Sequence, residues 1–171
     1  MLHLLVGRSY FGLVSTIAPY WLQAGGALAP PQVMHAAVPL GMLATAVLVV
    51  NNLRDRHTDV AAGKRTLAVR FGGRFARAQY AFLVGGAYVA LLVAAAREAR
   101  GAGLTGTATG AGPLCAAARW LLPFLSTPAA AAQLRAVCVE KDGAALNAHV
   151  GGTAKFQLLF GLLLAVGTIW L

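Results

Sequence analysis

Charge is scarce in this chain of 171 residues. Asp, Glu, Lys and Arg together make up 11% of it, while 58% of positions are hydrophobic and the mean hydropathy is +0.69. Soluble domains are about one-quarter charged. Negative charge is the scarcer sign, five acids in all, and no Asp, Glu, Lys or Arg occurs in residues 9–50. That patterning argues against a soluble globular enzyme. Cysteine is nearly absent as well. Cys115 and Cys138 lie far apart, in or beside one apolar segment, so they offer neither a disulfide framework nor paired metal-ligand spacing and read as small packing residues.

Long apolar runs are what the chain has in abundance. A helix crossing a bilayer needs about 20 mostly apolar residues, since roughly 30 Å of hydrocarbon is covered at about 1.5 Å per residue. Five such stretches are present, at roughly residues 9–25, 32–50, 76–96, 113–137 and 150–171. The expected fold is therefore all-α, a polytopic membrane protein of about five transmembrane helices. Tyr20, Trp21 and Trp170 suit the aromatic belt at a membrane interface. Pro123 and Pro128 each remove a backbone donor and should kink the fourth span. Residues 101–112, dominated by Gly, Ala and Thr, read as a flexible low-complexity loop. The first 29 residues superficially resemble a secretory signal ending in Ala27-Leu28-Ala29. However, Arg8 is the lone base of its n-region, and Pro19, Tyr20, Trp21 and Gln23 interrupt the apolar run, so a retained helix is expected.

Fourteen bases against five acids give a net charge of +9. In a soluble protein that balance would suggest nucleic acid; here membrane orientation accounts for it, and no nucleic-acid partner is expected. Seven of the fourteen bases fall in residues 54–77, the connection between the second and third spans. With that loop on the inner side, Arg8, Arg135, Lys141 and Lys155 join it, Arg97 and Arg100 are left outside, and Arg119 snorkels from the fourth helix toward the outer interface. The N-terminus then faces in and the C-terminus out.

The chemistry concentrates in that inner loop, in the run Asn51-Asn52-Leu53-Arg54-Asp55-Arg56-His57-Thr58-Asp59 and on through Gly63-Lys64-Arg65-Thr66. If the second helix continues past Val50, then Asn51, Asp55 and Asp59 follow at i, i+4 and i+8 and share one face, each step advancing about 40°. Two carboxylates and an amide are hard oxygen ligands suited to Mg²⁺, which commonly bridges carboxylates to phosphate oxygens. Lys64 and Arg65, after flexible Gly63, add direct positive charge for the same anion, and Arg54 and Arg56 more. Such a cluster could stabilise negative charge growing on a departing diphosphate. The structural alternative is a solvated basic loop in which the two aspartates form local ion pairs with Arg54, Arg56 or Lys64. Gly63-Lys64-Arg65-Thr66 is not a phosphate-binding P-loop, because the glycine-rich half and the preceding strand are missing, and a lone His57 reads as solvent-exposed.

The run from Val49 through Asn51-Asn52-Leu53-Arg54-Asp55, Asp59 and Ala61-Ala62-Gly63-Lys64-Arg65-Thr66-Leu67-Ala68-Val69-Arg70 to Gly72 resembles the second aspartate-rich motif of the UbiA superfamily of intramembrane prenyltransferases. Within it the chain looks most like the 1,4-dihydroxy-2-naphthoate prenyltransferase branch, which makes menaquinone or phylloquinone precursors. Tyr20-Trp21-Leu22-Gln23-Ala24-Gly25 is similar to the branch's helix end before the motif-bearing helix. Leu146-Asn147 and Gln157-Leu158-Leu159-Phe160-Gly161 through Ala165 are similar to its last helix.

The resemblance implies nine helices around a central cavity, the five spans here matching the last five, and two facing aspartate-rich motifs that clamp a prenyl diphosphate through Mg²⁺. Glu98, Glu140 and Asp142 do not match the first motif. The expectation is therefore an N-terminally truncated chain that lacks four helices and half of the clamp, or a half-protein that needs a separate N-terminal partner. Val60 stands where the branch commonly has a basic residue.

By the same resemblance Asp55, Asp59 and Lys64 are the catalytic residues, Asp55 and Asp59 binding Mg²⁺. Asn51, Asn52, Arg54, Lys64 and Arg65 bind substrate, and an electron-rich naphthoate attacks the ionised polyprenyl or phytyl group. The implied setting is a bacterial inner membrane or a plastid membrane, with the basic loop cytoplasmic or stromal. A non-catalytic paralogue or assembly subunit is the competing expectation. A transporter is disfavoured, because only Arg119 lies deep in a span. Tyr80, Phe82, Tyr88, Phe156 and Phe160 read as packing groups.

Overall fold

Proline and glycine set the ends of the helices, and apolar faces at helical spacing bring them together. The computed structural model describes residues 14–105, 117–140 and 143–170. Helix α1 runs Ser15–Gln23. Helix α2, Pro31–Arg54, starts with proline in its first turn, where the missing N–H has no intrahelical acceptor to lose. A short α3, Arg56–Ala61, follows directly. Helix α4, Leu67–Thr105, is two helices in continuity, because Gly72 inside it sits at φ +84°, ψ 172°. A 3-10 turn at Leu122–Ser126 leads into α5, Thr127–Val139, and α6 is Leu146–Trp170.

The core lies between α2, α4 and α6. Leu43, Ala46, Val50 and Leu53 form the buried stripe of α2, and Tyr80, Leu83, Ala87, Leu91 and Ala94 that of α4. These two helices share the most extensive contact in the molecule. Helix α6 adds Thr153, Phe156, Phe160 and Leu164. Several polar groups within this apolar bundle are tied off, whereas His35 Nδ1, Gln79 Nε2, Trp120 Nε1 and Gln133 Oε1 are buried without a hydrogen-bond partner among the described residues. The Thr45 hydroxyl donates to Gly41 O at 2.7 Å, Tyr80 and Thr153 share a hydrogen bond of 3.1 Å, and Tyr88 and Ser126 share one of 2.7 Å. Tyr80, Phe156 and Phe160 are thus packing groups, as expected, whereas Phe82 points outward.

Three helices have the length and apolarity to cross a bilayer: Pro31–Arg54, Leu67–Gly101 and Leu146–Ile169. They contain the second and third expected spans and all but the last two residues of the fifth. The fourth span is not the kinked but continuous helix anticipated over residues 113–137. Its described part is a turn, a 3-10 segment carrying buried Pro123, and a 13-residue helix with Pro128 in its first turn. Each proline stands in the first turn of an element rather than bending one, where its missing N–H has no intrahelical acceptor to lose. The expected first span is represented by the nine residues of α1, with residues 9–13 outside those described. Most of the low-complexity loop and Cys115 also lie outside them; Cys138 is a free, exposed thiol.

Side-chain contacts show how the helices alternate in direction. Arg54 at the end of α2 donates to the Asn147 side chain at the start of α6 (2.8 Å). Arg77, early in α4, donates to the carbonyls of Val137 and Glu140 at the end of α5. Late in α4, Glu98 pairs with Arg119 at 3.3 Å. Arg119 therefore meets a carboxylate rather than only snorkelling to an interface. The residues of the basic connection gather at one end of the bundle, and Glu98 and Arg119 at the other.

Candidate functional site

The helical ladder continues through the junction of α2 and α3. Asp55, at φ −85° and ψ 4°, caps the one helix and precedes the other. Its N–H still donates to Asn51 O (3.0 Å), and Asp59 N–H donates to Asp55 O (2.8 Å). The anticipated four-residue spacing of Asn51, Asp55 and Asp59 is thus kept in the backbone across a change of element.

A Schellman turn closes α3. Gly63 adopts φ +69°, its N–H bonding to Val60 O (3.1 Å) while Lys64 N–H reaches back to Asp59 O (2.9 Å). That left-handed conformation favours glycine, and it returns the chain so that residue 64 stands beside residue 59. In many such turns an apolar contact joins these two positions; here it is an ion pair, Lys64 Nζ to Asp59 Oδ1 at 3.3 Å. Asp59 is only 5% exposed, whereas the lysine side chain is 67% exposed and reaches into solvent. Thr66 then caps α4, its hydroxyl accepting the Val69 N–H at 3.3 Å.

Asp55 is held differently. The Arg54 guanidinium grips it as a fork, Nε to Oδ1 at 2.7 Å and Nη2 to Oδ2 at 2.8 Å, while Nη1 of the same group donates to Asn147. These hydrogen bonds, with help from the charges of Arg54 and Lys64 and against some desolvation, hold the Asp55 carboxyl below the usual carboxylate range. It is therefore ionised and available as an oxygen donor at neutral pH.

The structure thus brings Arg54, Asp55, Asp59 and Lys64 into two adjoining ion pairs and leaves Asn51 and Asn52 half-buried on the preceding turn. Arg65 is exposed, and Arg56 lies against His57 at 3.1 Å. As a donor set, two carboxylates and neighbouring amides are hard oxygen ligands. Among the described residues no three acidic, histidine or cysteine side chains come together. A cation here would therefore complete its shell with water or phosphate oxygens, the mode in which small hard divalent ions bind. Each carboxylate oxygen has more than one lone-pair direction, so a single N–H on each still leaves room for a metal.

A family profile described as the UbiA prenyltransferase family matches residues 2–139. The chain belongs to this family. This UbiA chain is similar to the 1,4-dihydroxy-2-naphthoate octaprenyltransferase of Escherichia coli (strain K12), 34% identical over 158 residues, which is 92% of the chain and 46% of that protein. Proteins of the same name from Haemophilus influenzae and Mycobacterium leprae are 40% identical over 90 residues and 43% over 76, covering 51% and 44% of the chain and 29% and 25% of those proteins. The UbiA chain spans about half the length of the first of these relatives and less of the other two. No solved structure matches it. With its three apolar helices, this UbiA chain is an integral membrane protein.

Two residues of this end had no role in the sequence reading. Asn147 completes the Arg54 fork from 93 positions away, and Arg77 supports the end of α5 from 60 and 63 away. No local signal could have paired them. Asn147 stood out only as part of the stretch resembling a last helix.

Proposed function

We propose that the chain supplies the second aspartate-rich part of a prenyltransferase, which moves a polyprenyl or phytyl group from its diphosphate to 1,4-dihydroxy-2-naphthoate in menaquinone or phylloquinone synthesis. A further portion bearing the first motif and four helices completes the clamp. The observation that carries this reading is the pair Asp55 and Asp59, one helical turn apart at the end of a membrane-length helix, each held by its own base. Similarity to three naphthoate octaprenyltransferases supports the choice of acceptor.

In this reading Asp55 and Asp59 hold Mg²⁺, with Asn51 and Asn52 as secondary polar ligands. Bound Mg²⁺ supplies Lewis acidity, countering the charge that develops on the departing diphosphate. Lys64, whose ammonium lies beyond the buried Asp59, and exposed Arg65 meet the same oxygens directly and steady the anion. Arg54 orients Asp55 and joins it to the last helix. The basic connection faces the cytoplasm or stroma, a sidedness supported by the bases gathered at that end.

One observation favours a second reading. Both carboxylates already have a cationic partner, which is what a non-catalytic membrane subunit retaining the fold would also need. Limited trypsin digestion separates the two, because Arg54, Arg56, Lys64 and Arg65 are themselves cleavage sites. In the reconstituted assembly, Mg²⁺ with a long-chain prenyl diphosphate should protect this stretch, and Asp55→Ala with Asp59→Ala should remove the protection. Cleavage that is indifferent to ligand in the unsubstituted assembly would establish the non-catalytic reading instead.

A further inference from the structure

At the start of α4, outside the proposed diphosphate site, Arg70, Phe71, Arg74 and Phe75 are all exposed. Thr66 caps this segment and buried Ala68 anchors it. Gly72, at φ +84°, then turns residues 67–71 away from the axis of the long span. The result is a one-turn foot. Across the kink, Phe71 of the foot and Phe75 of the long span's first turn bring their rings within 5.0 Å, tilted by 42°, and are 60% and 39% exposed. Neither arginine has an acidic partner among the described residues. Asp55 and Asp59 pair with Arg54 and Lys64, and Glu98 with Arg119.

The depth of the foot follows from the helix. Residues 78–96 carry no charge and are followed by Arg97. At about 1.5 Å per residue they cover about 30 Å, the hydrocarbon thickness of a bilayer. Arg77, at their edge, is satisfied by two carbonyls. Arg74 therefore lies about one turn, roughly 5 Å, beyond the hydrocarbon boundary, the height of lipid phosphates, and Arg70 follows on the turned segment. Phe71 and Phe75 stand where aromatic rings gather, between acyl chains and headgroups.

We infer that this foot binds the phosphate of an anionic phospholipid in the adjacent leaflet. Arg70 and Arg74 grip the headgroup, and the two rings seat against the first segment of its acyl chains. Two guanidinium groups without carboxylate partners match a net negative headgroup better than a zwitterionic one, whose own cation opposes them. Asp55 and Asp59, the acids nearest in sequence, are already paired with Arg54 and Lys64.

The test uses the whole chain in detergent micelles, with phosphatidylglycerol or phosphatidylcholine of identical acyl chains added. Native mass spectrometry reads the lipid retained, and a melting curve reads the stabilisation. Phosphatidylglycerol should be retained in clear preference and should raise the melting temperature more. Arg70→Gln with Arg74→Gln should abolish the preference, and Arg70→Lys with Arg74→Lys should keep most of it. Phe71→Ser with Phe75→Ser should weaken retention of both lipids. Arg97→Gln with Arg100→Gln removes the same charge from the other end and should change nothing. Equal loss from the two arginine-to-glutamine pairs would overturn the proposal in favour of general charge attraction. Absence of any phosphatidylglycerol preference in the unsubstituted chain would overturn it in favour of a protein surface covering the foot.

Discussion

At one end of the bundle Arg54 pairs with Asp55 and Lys64 with Asp59, each within a few residues of chain; at the other, Glu98 meets Arg119 across 21. The first end holds seven bases against two acids in residues 54–77, so its two ion pairs still leave five cations over. The second end has one half-sheltered pair that joins two segments of the chain. The same contact thus has different consequences. In the proposed reading the first end, with two carboxylates amid five surplus cations, presents oxygens to a metal and cations to an anion, whereas the single carboxylate of the second, between Arg97 and Arg100, fastens the fold.

The strongest way to break that contrast is to remove a carboxylate at the basic end. Asp59→Asn should weaken Mg²⁺-dependent prenyl diphosphate binding by on the order of 100-fold, at least the upper range seen when residues supporting a metal site are lost, measured by calorimetry on the reconstituted assembly. Unchanged binding would mean that this pair, too, only fastens the fold. Arg54→Lys should cost about tenfold in the same titration, because an ammonium cannot hold both oxygens of Asp55 and the Asn147 amide at once.

Glu98→Gln sharpens the comparison from the other side. It should lower stability by about 1 kcal/mol or less, read by thermal melting, and leave diphosphate binding untouched. The smallest effect is the pH response of Asp55. Arg54 depresses its folded pKa, so its contribution to stability is fully present above the unfolded value of about 3.9 and disappears as pH falls below that value toward the folded one. Melting temperatures should be level above about pH 5 and drop below about pH 4, with a shallower drop in Asp55→Asn.

Much of this end could be read before the fold was seen, because its devices are local. The four-residue spacing of the aspartates is legible in the sequence, where Gly63 reads only as flexible; its turn and the Thr66 cap emerge in the fold, although both act within a few residues. The apolar lengths of α2, α4 and α6 were visible as well, but not which face of each is buried, because apolar residues run nearly all round them. Arg54 with Asn147 and Tyr80 with Thr153 were not, since a hydrogen bond between distant segments leaves no trace in either neighbourhood. The broken fourth span falls between these cases. Pro123 and Pro128 announced a disturbance, but whether a proline bends a helix or ends it depends on the packing that receives the freed carbonyls.

The Arg77 contact bears on how the protein is made. Helix α5 has 13 residues, about 20 Å, too short to cross hydrocarbon by itself, and its final carbonyls accept hydrogen bonds from an arginine that entered the chain 60 residues earlier. Arg77 precedes α5 in the order of synthesis, so its donors already exist when those carbonyls are made. Substituting Arg77 would leave both carbonyls without that donor and loosen the join between α5 and the long helix.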